Sequence, residues 1–323
     1  MKAALVGVGS MGSTHYNLLK KMSDVEIIAL VDIEKPRTEE KARECGISSY
    51  TDIHDMLANE KPDFVDICSP SYLHPEHAMA VMEKGIHVLT EKPAALKAKD
   101  LKAMLQCASD NNVMFMTAHV LRFWPEYVWL KNVTDSRQYG KLLHLRLWRH
   151  GLRPTRSWKD WMLDKEKSGL VPFDLHIHDI DFMVYLLGTP EKKDFFEING
   201  SPGQYVETSC RYADGPLVLA KAAWFNSNVP FQMGYEAIFE RGYVDYNSGK
   251  LVFYPNNGEP FNPVENVYMS GSESNVANAS GYYNEIRYFI DCIVKNEKPS
   301  VVKGAELLTV LSLLENLQVS VMA

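Results

Sequence analysis

The hexapeptide GVGSMG, residues 7–12, lies directly behind the apolar run AALV and directly ahead of a segment with helical spacing. A strand that turns through glycines into a helix opens a βαβ nucleotide-binding unit. Gly7 permits the tight turn, Gly9 lets backbone approach a pyrophosphate, and Gly12 allows close packing of helix on strand, with the helix N-terminus facing the anion. The spacing is a weak sign by itself. Its context strengthens it, because Asp32 stands twenty positions after Gly12 at the end of the next apolar run, where a carboxylate accepts hydrogen bonds from an adenosine ribose. The bland alternative is a glycine turn beside a solvated aspartate. Asp32 also repels a 2′-phosphate, and Ile33 rather than a basic residue follows it, so NAD is expected over NADP despite Lys35 and Arg37 nearby.

Outward from this loop, apolar runs alternate with helical spacing. The pattern predicts strands over residues 3–6, 27–31, 64–68, 87–89 and 113–116, and helices over 11–22, 38–45, 75–84 and 98–111. Strand and helix at this rhythm mean a doubly wound parallel sheet covered on both faces. After about residue 120 the rhythm changes. In KLLHLRLWRH (141–150), Leu143, Leu145 and Leu147 alternate with His144, Arg146 and Trp148, the period of a half-buried strand. YVETSCRY, LVLAKAAWF, YEAIF and KLVFY follow between Gly, Asn, Asp and Pro clusters, which predicts a largely antiparallel sheet. Helices are expected over 282–295, with Ile286, Phe289, Ile290 and Ile293 in one stripe, and over 305–322. The fold class is therefore α/β, with a nucleotide-binding domain over 1–120 and an α/β domain over 121–323 whose sheet is open and whose last helices pack back on the first domain.

Composition narrows the function. A net charge of −7 argues against nucleic acid, which calls for clustered positive charge. No apolar run reaches the roughly 18 residues of a membrane span, and MKAALVGVGS lacks the apolar core of a secretory leader. A cytoplasmic protein with a small-molecule partner is expected. The five cysteines, Cys45, Cys68, Cys107, Cys210 and Cys292, are scattered and form no CxxC pair, so they read as buried thiols rather than disulfides or a zinc site.

GIHVLTEKPAA (85–95) places Lys92 between Glu91 and Pro93 just past a short apolar strand, where ligands of open α/β sheets bind. Taken alone it reads better as a surface turn with solvated charges. The ordered set GVGSMG, Asp32, SPSYLHPEHAMAVMEKGIHVLTEKPAA (69–95) and DLHIHDIDFMVYLLG (174–188) resembles the Gfo/Idh/MocA family of sugar and cyclitol oxidoreductases. RFWPEY (122–127) and YNEIRYFIDCIVKNEKPSV (283–301) extend the resemblance over nearly the whole chain. It implies a Rossmann domain, a second domain whose open sheet serves oligomer contacts, a homodimer or homotetramer, and a Lys92 that touches nicotinamide and substrate. The expected cofactor-lining residues are Gly7, Gly9, Ser10, Met11, Gly12 and Asp32, together with Ser69, Pro70, His74, Glu91 and Lys92.

The resemblance also matches Asp174 and His178 to the family's Asp and His four residues apart. Oxidising a secondary alcohol needs a base for the hydroxyl proton, and an imidazole with a pKa near 6.5 suits it. His178 takes that role, Lys92 stabilises the developing alkoxide, and Asp174 positions substrate or base. Where the family often has glycine, position 176 is histidine, so His176 competes for the role. His176, His178, Asp179 and Asp181 are metal-ligand types, but His-x-His on a helix does not converge on one ion, and no metal is expected. His74 approaches the cofactor or caps the Pro75 helix, and His77 is expected on that helix's surface. His119, Arg122, Trp158 and His176 are candidate substrate contacts, although Arg122 also suits a pair with Glu126. Trp148, Trp158 and Trp161, with Arg149, Arg153 and Arg156, either meet a sugar or pack under a loop.

Overall fold

Ala3, Ala4, Leu5 and Val6 are all fully or nearly fully buried, as expected for a strand covered on both faces of a parallel sheet. They belong to β1 (Lys2–Val6), which runs through the loop into α1 (Ser10–Leu19). The computed structural model describes residues 1–155, 157–264 and 280–315. From β1 the chain continues through β2 (Glu26–Val31), α2 (Lys35–Cys45), β3 (Ser48–Tyr50), α3 (Ile53–Asn59) and β4 (Phe64–Ile67). It then forms α4 (His74–Met82), β5 (His87–Glu91), α5 (Ala98–Asp110) and β6 (Phe115–Ala118). The six strands pair in parallel in the order β3-β2-β1-β4-β5-β6. Strand order reverses between β1 and β4, and the carboxyl ends of β1, β2, β4 and β5 carry the loops of interest. Leu5, Val8, Tyr16, Leu30 and Ala42 form the core where α1 and α2 cover the sheet.

The remaining elements are α6 (Pro125–Ser136), β7 (Leu142–Leu152), the single turn α7 (Lys165–Ser168), α8 (Ile177–Leu187), β8 (Lys192–Gly200), β9 (Gly203–Arg211) and β10 (Leu217–Phe225). After these come β11 (Gln232–Phe239), β12 (Gly242–Asn247), β13 (Lys250–Pro255), α9 (Ser280–Lys295) and α10 (Gly304–Glu315). A seven-stranded sheet has the order β13-β12-β11-β7-β10-β9-β8, antiparallel except for the parallel pair β7 and β10. Tyr127 of α6 anchors its core, with ring centroids 4.8 Å from Phe182, 5.2 Å from Tyr235 and 5.7 Å from Tyr246. The expected alternation fails at one place. Ile238 pairs with His144 and Phe239 with Leu142, so Leu143 is the extra residue of a bulge and lies 48% exposed instead of inward.

Two compact units result. The first holds Met1–His119, Glu166–Ser168 and Tyr282–Gly304, and the second holds the rest of the described chain. Helix α9 thus completes the first sheet: Phe289 meets Phe64 edge-on at 5.9 Å, and Arg287 grips Asp24 at 2.7 and 2.8 Å. The extension of the last helix to residue 322 lies outside the described residues. All five cysteines are free thiols, and only Cys210 and Cys292 are fully buried. Among the described residues no helix is long and apolar enough to cross a membrane.

Candidate active site

The glycine loop has the shape its sequence requires. Gly7 has φ +88°, and a Cβ there would lie 2.6 Å from the Cys68 carbonyl, while one on Gly12 would lie 1.8 Å from the Gly7 oxygen. A Cβ on Gly9 would meet nothing within 4 Å. Loop and helix are therefore pressed together at Gly7 and Gly12, with open space at Gly9. No side chain caps the start of α1 at Gly9, Ser10 and Met11, which leaves the helix N-terminus to an anion. Asp32, half-buried just past β2, accepts the Val8 N–H on Oδ2 at 2.7 Å and the Glu34 N–H on Oδ1 at 2.8 Å. A carboxylate has about four acceptor positions, so the brace leaves capacity for ribose hydroxyls. These features fit a dinucleotide.

The second feature of this unit is the turn after β5. Glu91 is buried, Lys92 is half-buried and the Lys92–Pro93 bond is cis. The Lys92 N–H donates to Glu91 Oε2 at 3.0 Å. His74, the first residue of α4 and 1% exposed, has Nδ1 2.7 Å from the Pro93 oxygen and Nε2 2.7 Å from the Ser69 oxygen. Burial pushes this imidazole below its ordinary value, while two carbonyl acceptors are both satisfied only by the doubly protonated ring, so burial and hydrogen bonding oppose one another. The Ser69 hydroxyl contacts His77 Nδ1 at 3.0 Å, ahead of which Pro70 leads into α4. His77 is thus half-buried rather than on the helix surface, and burial lowers its pKa to about 4.

His15, one turn past Gly12 and fully buried, joins α1 to the sheet. Its Nδ1 is 2.8 Å from Asp66 Oδ2 and 3.5 Å from Cys68 Sγ, and its Nε2 makes an ionic contact of 3.2 Å with Glu91 Oε1. Burial alone disfavours the imidazolium, but Asp66, with Cys68, outweighs it and holds the pKa well above the ordinary value. For Glu91, burial raises the pKa, and His15 and then Lys92 overcome that to leave it lowered. His15, Asp66 and Cys68 are the group of metal-ligand types found together among the described residues. A tetrahedral zinc with bonds near 2.0 Å holds two ligand atoms about 3.3 Å apart. The shorter contact between His15 and Asp66 is that of a hydrogen bond.

In the second unit, a π-helical turn at Pro172–His176 runs into α8, a wound-out geometry frequent at functional sites. Val171 and Leu175 anchor it against Val206, Ala222 and Trp224 of the sheet. Asp174 and His178 are half-buried, whereas His176 is fully buried, with Nε2 2.7 Å from the Thr208 hydroxyl. Burial, with Arg149 nearby, lowers the His176 pKa to about 3. Two buried ion pairs fix the helix. Arg149 donates to Asp179 at 2.8 and 2.9 Å, and Arg122 to Asp181 at 2.7 and 2.9 Å, with a further bond from Arg122 to Glu306.

Two family profiles cover most of the chain. Residues 1–119 match an oxidoreductase family with an NAD-binding Rossmann fold, and residues 127–244 match the GFO/IDH/MocA C-terminal domain. The chain belongs to the Gfo/Idh/MocA family. It is 31% identical over 188 residues to a 2,7-anhydro-N-acetylneuraminate hydratase of Mediterraneibacter gnavus, covering 57% of this chain and 49% of the relative. It is 27% identical over 196 residues to a myo-inositol 2-dehydrogenase of Thermotoga maritima, covering 60% and 57%. The match thus spans about half the length of these curated relatives. A crystallised dehydrogenase from Chromobacterium violaceum has the same fold, with TM-score 0.85 at 20% identity over 98% of this chain and 94% of that one.

In this Gfo/Idh/MocA chain, the cofactor-lining candidates lie on the first unit, at the loops after β1, β2, β4 and β5. Asp174 and His178 lie together on one turn of the second. His176 sits in the core at Thr208. His119 is buried at the end of the first unit. Arg122 is buried and forms ion pairs with Asp181 and Glu306. Trp158 is half-buried with the Lys159 ammonium 4.5 Å over its ring, and Arg149 is buried at Asp179. Arg156 lies outside the described residues. His15 and Asp66 were missed. A charged residue inside the apolar run FVDIC is the signal that a buried partner exists.

Proposed function

We propose that this chain is an NAD-dependent oxidoreductase that moves hydride between a secondary hydroxyl of a sugar, sugar acid or cyclitol and the nicotinamide. The observation that carries the reading is Lys92, held on a braced turn at the end of β5 in the same unit as the glycine cradle and Asp32. NAD, when bound, supplies the hydride acceptor. Gly7, Gly9, Ser10, Met11 and Gly12 bind its pyrophosphate, Asp32 its ribose, and Ser69, Pro70, His74 and Glu91 shape the nicotinamide end. Lys92 donates to the reacting oxygen, His178 removes its proton, and Asp174 orients substrate or base. The named activity of the Thermotoga maritima relative on myo-inositol supports a cyclitol or sugar.

A second reading keeps the fold but recycles a retained cofactor, so that no net oxidation occurs. The hydratase relative favours it, because hydration is redox-neutral overall. A homodimer or homotetramer in the cytoplasm, without nucleic-acid or membrane partners, accompanies both. The test is absorbance at 340 nm with NAD or NADP over a panel of sugars, sugar acids and inositols, using intact protein and the Lys92→Ala and His178→Ala variants. Turnover that falls at least about a hundredfold in each variant with NAD affinity kept is the expected result. Near-normal rates in either variant overturn that residue's role. Tight NAD binding with no turnover of any panel member, in either direction or as hydration, identifies a nucleotide sensor instead.

A further inference from the structure

We propose that His15 and His74 are positioning residues that clamp the Glu91–Lys92–Pro93 turn, one through the Glu91 side chain and the other through the Pro93 carbonyl. The inference rests on Lys92 being the working lysine of the proposed reaction. Neither histidine is assigned any task by that reaction beyond lining the cofactor.

The need for a clamp follows from the turn itself. Pro93 has no N–H, and the Lys92 N–H donates to the Glu91 carboxylate at 3.0 Å. Side chains must therefore hold this backbone. Glu91 is 6% exposed, and the contact on its other oxygen is His15 Nε2 at 3.2 Å. His15 is in turn fixed by Asp66 at 2.8 Å, on the strand between β1 and β5. The groups that face the imidazole are Asp66 from β4, Cys68 beyond it, Glu91 from β5 and the Tyr282 ring of α9 at 6.2 Å. Two carboxylates around one imidazolium leave Glu91 charged and able to accept the Lys92 amide. At the far end of the turn, His74 spans Pro93 and Ser69 at 2.7 Å each, which ties the β5 turn to the loop after β4. His15 also lies on the helix that starts at the pyrophosphate cradle, so the clamp joins cofactor helix and lysine through one side chain.

The experiment compares wild type with His15→Gln and His74→Gln. Each glutamine keeps polarity but reaches only one of the two partners. Acetylation of Lys92 by acetic anhydride is followed by peptide mass mapping, with Lys97 and Lys99 as internal references, beside NADH affinity by fluorescence, thermal melting and turnover on the panel. The expected result is Lys92 labelling at least about threefold faster than in wild type, with the reference lysines unchanged. Turnover drops about ten- to a hundredfold while NADH affinity stays within about threefold. Combining His15→Gln with Glu91→Gln adds less than about twofold to either, because both act through one link. Folded variants with wild-type Lys92 labelling and turnover overturn the clamp. Should a variant fail to fold, hydrogen exchange at the Lys92 amide of wild type decides: protection supports the clamp, and exchange at the rate of an open loop refutes it. Labelling and exchange need no turnover. A protein silent on every substrate, with a labelling contrast intact, refutes the oxidoreductase reading and keeps the clamp.

Discussion

Replacing Asp32 by alanine separates two duties that one carboxylate performs. Oδ2 and Oδ1 each hold a backbone N–H, of Val8 at 2.7 Å and Glu34 at 2.8 Å, and this brace serves any bound dinucleotide equally. The remaining acceptor capacity is for ribose hydroxyls, which NADPH presents with one hydroxyl replaced by phosphate. Hydrogen bonds to a charged acceptor contribute about 1.5–3 kcal/mol each, and for a half-buried group the lower figure applies. Two lost bonds are then worth about 3 kcal/mol, or about a hundredfold in NADH Kd. NADPH loses the brace but gains relief from like-charge repulsion, so its Kd should rise by no more than about tenfold. The ratio of the two dissociation constants, measured by titration of cofactor fluorescence, isolates the ribose duty because the brace cancels. Asp32→Asn, which keeps one acceptor for the Glu34 N–H, should fall between wild type and Asp32→Ala. Equal loss for both cofactors refutes ribose recognition and leaves Asp32 as a brace only.

Gly12→Ala puts a methyl 1.8 Å from the Gly7 oxygen, so NADH affinity should fall at least about a hundredfold in a titration, and unchanged affinity refutes the packing role. Asp179→Leu removes the carboxylate that the buried Arg149 guanidinium grips, and urea unfolding should show a loss of about 3–5 kcal/mol that Arg149→Met combined with Asp179→Leu largely restores. A double variant no more stable than the single one contradicts this account. The raised pKa of His15 gives stability that is fully present below its unfolded value near 6.5 and lost as pH rises through the folded value. Unfolding free energy should fall between those limits by up to about 1.4 kcal/mol per pH unit in wild type but not in His15→Gln. For Glu91 the sign is opposite, with stability present above about pH 4.3 and lost as pH falls through its lowered value, a limb that Glu91→Gln should remove.

What was legible in the sequence was local. The glycine loop, the strand rhythm of β1, β2, β4 and β5, and the Glu91–Pro93 turn each carry their signal within a few neighbouring residues. LVLAKAAWF is strand β10 to the residue. Short elements escaped: β3 has three residues, and α3 announces itself only by the Asp52 cap, whose side chain accepts the His54 N–H at 2.7 Å. Helix α6, with Pro125 at its start, was not predicted although proline at that place is a helix-start sign. The bulge at Leu143 was invisible because alternation continues unbroken in the letters. Arg122 finds Asp181 and Glu306 at separations of 59 and 184 residues, distances at which no spacing rule speaks. His176 shows the limit most clearly, since its charge type suggested chemistry and its burial against Thr208 assigns it to the core.

The placement of α9 sets an order of events during synthesis. The first unit closes only when residues 282–304 arrive, long after His119 has emerged. At roughly 5–20 residues per second the delay is on the order of ten to thirty seconds. Throughout that interval Phe64 lacks the ring of Phe289 and Asp24 lacks Arg287. The nascent sheet therefore waits with an apolar patch uncovered while most of the second unit is made, and a segment from near the end of the chain covers its oldest part.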